Sequence, residues 1–137
     1  MAELTRIEWS GRTVRIGAAV PYATLRKDPS IASRLPLLSA MSKDVGAVQI
    51  QARGTLGGNL GTASPAADGV AALAALDARI VLTSVRGRRS VPIAAFLTGY
   101  RTTAREVDEL IAEVEIDVPE PGSTWFWRKV GTRLAQA

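Results

Sequence analysis

Between Arg53 and Asp68 the chain reads Arg-Gly-Thr-Leu-Gly-Gly-Asn-Leu-Gly-Thr-Ala-Ser-Pro-Ala-Ala-Asp. Gly54, Gly57, Gly58 and Gly61 fall close together here, among small hydroxyl and amide side chains. Such a backbone can turn with positive φ and let another group come close, because no Cβ stands in the way. Two readings are open on the residues alone. Glycine clusters commonly mark tight turns or close packing, and they also let successive peptide N–H groups point into one concavity that binds an anion such as phosphate. The run is not a P-loop, since no Gly-x-x-x-x-Gly-Lys-Ser/Thr is present, and it does not follow the Gly-x-Gly-x-x-Gly order of a dinucleotide fingerprint. Pro65 restricts Ser64 to extended backbone and suits a first helical turn, with Asp68 in that turn. The segment therefore predicts a loop followed by a helix start.

The residue types that are missing narrow the chemistry further. The 137 residues contain no cysteine and no histidine, which excludes disulfides, iron–sulfur ligation, thiolate zinc sites, cysteine nucleophiles and imidazole bases from these residues. Redox chemistry would have to come from an organic cofactor, with the protein supplying binding and electrostatics. Seventeen basic against thirteen acidic residues give a charge of +4, with 47% hydrophobic and 22% charged residues. These are values of one globular domain. The basic residues are scattered, and the one cluster, Arg86-Gly87-Arg88-Arg89, reads as a solvated turn, so nucleic acid is not expected as a partner. No apolar run reaches the ~18 residues of a membrane span and the N-terminus does not resemble a secretory signal. A cytoplasmic location without membrane partners is the expectation.

Along the chain, Ile7 and Trp9 predict a strand paired through Ser10-Gly11 with a second strand over Thr13 to Ala18. Short helices are predicted from Pro21 to Arg26, after Asp28-Pro29 to Arg34, and from Leu37 to Val45 with Gly46 ending it. Asp68 to Leu76 is strongly helical and nearly all apolar. Arg79 to Val85 and Arg89 to Pro92 form a hairpin, Ile93 to Phe96 one helical turn, and Gly99 to Thr103 a loop. Glu109 to Ile116 alternates as a strand with Leu110, Ala112, Val114 and Ile116 on one face, and a last aromatic strand is predicted from Thr124 to Val130. Hairpin-joined strands with gathered helices make an α+β fold, not a doubly wound sheet.

The order of these motifs carries a resemblance. The glycine run with its Ser-Pro-x-x-Asp, then Ala-Leu-x-Ala-Leu-Asp-Ala, Val-Pro, Gly-Tyr-Arg-x-Thr and Asp-Glu-Leu-Ile, resembles the FAD-binding subunit or domain of molybdenum hydroxylases, the xanthine and carbon monoxide dehydrogenase group. The resemblance implies that residues 1–137 form the second subdomain of a two-subdomain (PCMH-type) FAD-binding fold, an antiparallel sheet with surrounding helices. It implies FAD as cofactor and no catalytic or metal-ligating residue. Thr55, Gly57, Gly58 and Asn59 would meet the FAD pyrophosphate, Asp68 the ribityl and flavin side, and Ile111 the isoalloxazine. Lys129, in Arg-Lys-Val-Gly-x-Arg, would lie near the flavin.

The implied role is the flavin station of a molybdenum-containing oxidoreductase, relaying electrons from iron–sulfur clusters through FAD to an acceptor such as NAD. The implied partners are an iron–sulfur subunit and a molybdopterin-binding large subunit in a heterotrimeric complex, with self-association as a further expectation. Relatives carry a smaller first subdomain with another double-glycine loop, and a C-terminal domain, neither of which has a counterpart in this sequence. An alternative expectation follows: a truncated scaffold or subunit-interaction fragment without productive flavin binding.

Overall fold

The computed structural model describes residues 2–130. A five-stranded sheet forms its frame, with strands in the order β1-β2-β7-β3-β4 and every pair antiparallel. The first hairpin joins β1 (Ile7–Ser10) to β2 (Thr13–Gly17), and the second joins β3 (Arg79–Ser84) to β4 (Gly87–Pro92). The last strand in sequence, β7 (Leu110–Asp117), lies between the two hairpins and unites them.

Six helices fill the stretch between the hairpins: α1 (Tyr22–Lys27), α2 (Pro29–Arg34), α3 (Pro36–Lys43), α4 (Val48–Arg53), α5 (Leu56–Thr62) and α6 (Asp68–Ala75). A single turn, α7 (Ile93–Phe96), follows β4. Their start signals are local. Pro21 precedes α1, the Asp28 carboxylate accepts from Ile31 N at the head of α2, and prolines open α2 and α3. Leu25, Ile31, Leu38, Met41, Leu60 and Leu73 from the helices meet Val14, Ile16, Ile80, Leu82, Val114 and Ile116 from the sheet in one buried cluster. Each such side chain contributes roughly 1.5–3 kcal/mol by leaving water.

The opposite sheet face is polar. Glu8, Arg15, Glu115 and Arg79 follow one another across four strands by register, with Arg15–Glu8 at 3.1 Å and Arg79–Glu115 at 3.7 Å. The hairpins predicted from Ile7 to Ala18 and from Arg79 to Pro92 are observed, as is the α+β class.

Three expectations are corrected, and one helix is new. Leu110 is exposed, because the register of β3 on β7 shifts between Val81 and Leu82, and Leu82 faces Ile111. One extra residue reverses which side chains point inward. Gly99 to Thr103 is not a plain loop but closes a small hairpin of β5 (Leu97–Gly99) and β6 (Thr102–Thr103). The segment from Thr124 to Val130 is no strand, since it pairs with no ladder and is held by side chains instead. Helix α4 was not foreseen; Val48 and Ile50 are exposed and only Gln51 is buried, so no apolar stripe announces it.

Two carboxylates are strongly acidified. Glu109, almost fully covered, is lowered from 4.5 to about 2, first by the Arg89 guanidinium, which donates to both its oxygens at 2.8 Å, and then by Glu106 N. Asp117 is lowered from 3.8 to about 2, first by Arg79 and then by the Thr13 hydroxyl. A carboxylate depressed in the folded state stabilises fully above its unfolded value and loses that contribution as pH falls through the folded one. The melting temperature is therefore expected to drop as pH falls from about 5 toward about 2. Replacing Glu109 by Gln should lower it at neutral pH and flatten that drop, which calorimetry across the range would show.

Candidate functional site

The glycine run is a helix, not a loop. Thr55 is its cap, accepting from Gly58 N at 2.8 Å, and α5 runs from Leu56 to Thr62 before Ala63 ends it with φ 50°. Pro65 lies in the turn after α5, where the Ser64 hydroxyl accepts from Ala66 N at 3.2 Å, and the next helix opens at Asp68 itself. Buried Leu56 and Leu60 hold α5 to the core.

Its glycines serve different ends. A Cβ on Gly57 would stand 2.5 Å from the Ala18 carbonyl oxygen, so only glycine lets α5 pack on the end of β2. A Cβ on Gly58 would meet only the Thr55 hydroxyl, at 3.2 Å, and Gly58 is exposed. The main-chain donors are already engaged: Gly57 N donates to Ala18 O at 3.2 Å, Gly58 N to Thr55 Oγ1 and Asn59 N to Thr55 O at 3.1 Å. Of the two readings open on the residues alone, these three amides form a capped helical turn and not a concavity of free donors.

Around α5 the chain gathers side chains from distant segments. Tyr22 of α1 is fully buried and donates its hydroxyl to Asn59 Oδ1. Burial, and then the nearby Asp68 carboxylate, push the Tyr22 phenol well above its ordinary value, so it stays protonated. Asp68 Oδ2 accepts from Lys129 Nζ at 3.0 Å, and both side chains are mostly covered. Lys129 also donates to Asp44 O at 2.9 Å, while Trp127 Nε1 donates to Asp44 Oδ2 at 2.9 Å. The Gly131 to Arg133 part of the motif around Lys129 lies outside the described residues. Ile111, turned inward by the β7 irregularity, comes within 4.0 Å of a Cβ placed on Gly61.

Of the residues singled out in the sequence, Asn59 is bonded to Tyr22 and Asp68 to Lys129, the Asp68 carboxylate being near enough to raise the Tyr22 phenol, and Ile111 flanks α5 nearby. Thr55 serves as the cap and Gly57 as a packing position. Tyr22, Asp44 and Trp127 were missed; a hydroxyl, a carboxylate and an indole N–H each carry a polar handle, but nothing local in the sequence tells which partner it meets. Among the described residues no group of acidic side chains is placed to hold a metal ion.

The family model described as the FAD binding domain in molybdopterin dehydrogenase matches residues 1–121. The chain belongs to this family. It is 39% identical over 140 residues to the nicotinate dehydrogenase FAD-subunit of Eubacterium barkeri, covering 100% of this chain and 47% of that one. It superposes on a chain of carbon monoxide dehydrogenase from Hydrogenophaga pseudoflava with a TM-score of 0.95 at 32% identity, covering 98% of this chain and 47% of that one. Quinoline 2-oxidoreductase from Pseudomonas putida 86 gives 0.93 at 30% identity with the same coverage. The chain spans about half the length of the curated relatives it matches. FAD is the family's cofactor, and the α+β sheet of this chain is the fold of the family's flavin-binding domain. No helix among the described residues is long and apolar enough to cross a membrane.

The two glycines of α5 can be told apart by stability. Gly57→Ala forces a methyl into the Ala18 carbonyl and should cost roughly 1–3 kcal/mol, the usual penalty of overpacking. Gly58→Ala should stay within about 1 kcal/mol of the parent, since it gains helix propensity on an open side. Urea unfolding midpoints of the two variants test the difference.

Proposed function

We propose that this chain is the second subdomain of a two-part flavin site in a molybdenum-containing oxidoreductase, the station through which electrons pass from iron–sulfur clusters to an acceptor such as NAD. The observation that carries the reading is that Asn59 of α5 lies close to the head of α6, its Oδ1 2.8 Å from a Cβ placed on Gly69, where Asp68 pairs with Lys129, in a chain that belongs to a flavin-binding family. The residues present suit the cofactor. Asn59 offers an amide, Asp68 a carboxylate for hydroxyl groups, Lys129 a cation for phosphate or flavin oxygens, and Ile111 apolar surface for a ring. In this assignment Thr55, Gly57 and Gly58 shape the helix so that the pyrophosphate can approach it closely. Bound FAD would supply the electron transfer, and the side chains of this chain bind and orient without moving a proton. The expected partners are an iron–sulfur subunit and a large molybdopterin-binding subunit; the relatives are named as FAD-subunits and medium chains. A soluble cytoplasmic complex is the setting this reading implies.

One observation favours a second reading, a scaffold that binds subunits but not flavin: the amides of Gly57, Gly58 and Asn59 are satisfied within the chain. Titration of FAD into the purified chain by calorimetry separates the two. The family's second double-glycine loop is not among these 137 residues, and without its donors binding is expected at micromolar strength or weaker. Asp68→Ala should weaken it by a further ~1–3 kcal/mol, the range for removing one buried hydrogen-bond partner. Absence of any FAD binding, or an Asp68→Ala protein that melts lower yet binds FAD unchanged, speaks for the scaffold.

A further inference from the structure

We propose that Tyr22 is a positioning residue for Asn59: it holds the amide oxygen inward, so that Asn59 presents only N–H donors to its ligand and recognises an oxygen that offers lone pairs, such as a phosphate oxygen of a dinucleotide. This deepens the flavin reading above and rests on it for the identity of the ligand.

The argument begins with the tyrosine. Tyr22 is fully buried, its backbone N donates to Gly54 O at 2.9 Å, and its ring lies against Gly54, where a Cβ would come within 3.3 Å. Its hydroxyl therefore has a fixed place. Asn59 Oδ1 is its acceptor. In the reverse orientation the amide N–H would donate to the phenol oxygen, and the buried hydroxyl hydrogen would be left without an acceptor, which disfavours it. Because Tyr22 titrates far above neutrality, it donates at every physiological pH.

The room for this contact is provided by Gly69 of α6. A Cβ there would collide with the Tyr22 hydroxyl and stand 2.8 Å from Asn59 Oδ1. Three helices thus converge on one hydrogen bond. On its other side, Asn59 Nδ2 has no hydrogen-bond partner among the described residues. No buried side-chain nitrogen or oxygen there is left unsatisfied, so Nδ2 reaches the surface. With the amides of Gly57, Gly58 and Asn59 engaged, Asn59 Nδ2 is a side-chain donor that this stretch keeps for a ligand.

The test pairs a binding measurement with one on the free chain. FAD is titrated into the parent and into Tyr22→Phe, Asn59→Ala, Asn59→Asp and the Tyr22→Phe/Asn59→Ala double variant. Tyr22→Phe is expected to weaken FAD about three- to tenfold, the range for one hydrogen bond, and to add nothing once Asn59 is alanine. Asn59→Asp keeps an oxygen for Tyr22 but replaces the donors by a second oxygen, so it should bind FAD more weakly than Asn59→Ala. An equal Tyr22→Phe loss in both backgrounds would mean a merely structural tyrosine and would overturn the proposal. So would an Asn59→Asp chain that binds as well as Asn59→Ala, a comparison that needs no change at Tyr22. If the parent binds no FAD at all, the flavin reading fails by itself, and nuclear magnetic resonance of the Asn59 side chain in the free protein still decides the positioning. Its carbonyl carbon and amide protons should shift in Tyr22→Phe, and unchanged resonances would refute the role.

Discussion

A short series of main-chain hydrogen bonds ties the candidate site to the centre of the sheet. Ala112 O of β7 accepts from Ala18 N at 2.9 Å, and Ala18 O in turn accepts from Gly57 N at 3.2 Å. The position of α5 is thus inherited from β7, two bonds away. Strand β7 also supplies the pairing that makes one sheet of two hairpins: Val114 faces both Ile16 and Ile80. The six-helix insertion leaves from β2 and returns into β3, the two neighbours of β7, so its ends are fixed by the same strand. These pairings span long sequence separations, and their loop-closure entropy has to be offset before the helices gain a surface to pack on.

The helix at the site would be a poor one by itself. Three of its seven residues, Gly57, Gly58 and Gly61, are glycine, each costing roughly 0.8–1 kcal/mol of helix propensity against alanine. The cap from Thr55, the left-handed end at Ala63 and the burial of Leu56 and Leu60 hold it in place. At Gly57 the reason for glycine is geometric: that side of α5 touches the Ala18 backbone, which a Cβ would meet at 2.5 Å.

Much of this fold was legible because its signals are local. Ser10-Gly11, the prolines at 21 and 29, and the turn at Arg86-Gly87 each mark a boundary within a few residues of where it lies. What was not legible depends on partners far along the chain. The glycine run reads as a loop by propensity, and tertiary packing makes it a helix. Leu110 reads as inward by strict alternation, and the irregularity opposite Val81 and Leu82 turns it out and brings Ile111 in. Trp127 and Lys129 read as strand residues, yet they are fixed by Asp44 and Asp68, whose proximity no local pattern reveals. Asn59, Asp68 and Lys129 came from a family pattern, whereas Tyr22, the partner of Asn59, sits in a short helix with no local mark of that role.

The sheet ends in two open edges, and their composition bears on how copies of the chain can meet. Strand β1 is only four residues long, with Glu8 flanked by Arg6, and β4 carries Arg88 and Arg89 before stopping at Pro92, which has no N–H to give. Charge, brevity and proline are the means by which edge strands resist pairing with a neighbour's backbone. Growth of this sheet into a continuous ribbon from molecule to molecule is disfavoured at both borders. Self-association would then have to be built from side chains on the faces of the domain, leaving the strand order of each copy intact.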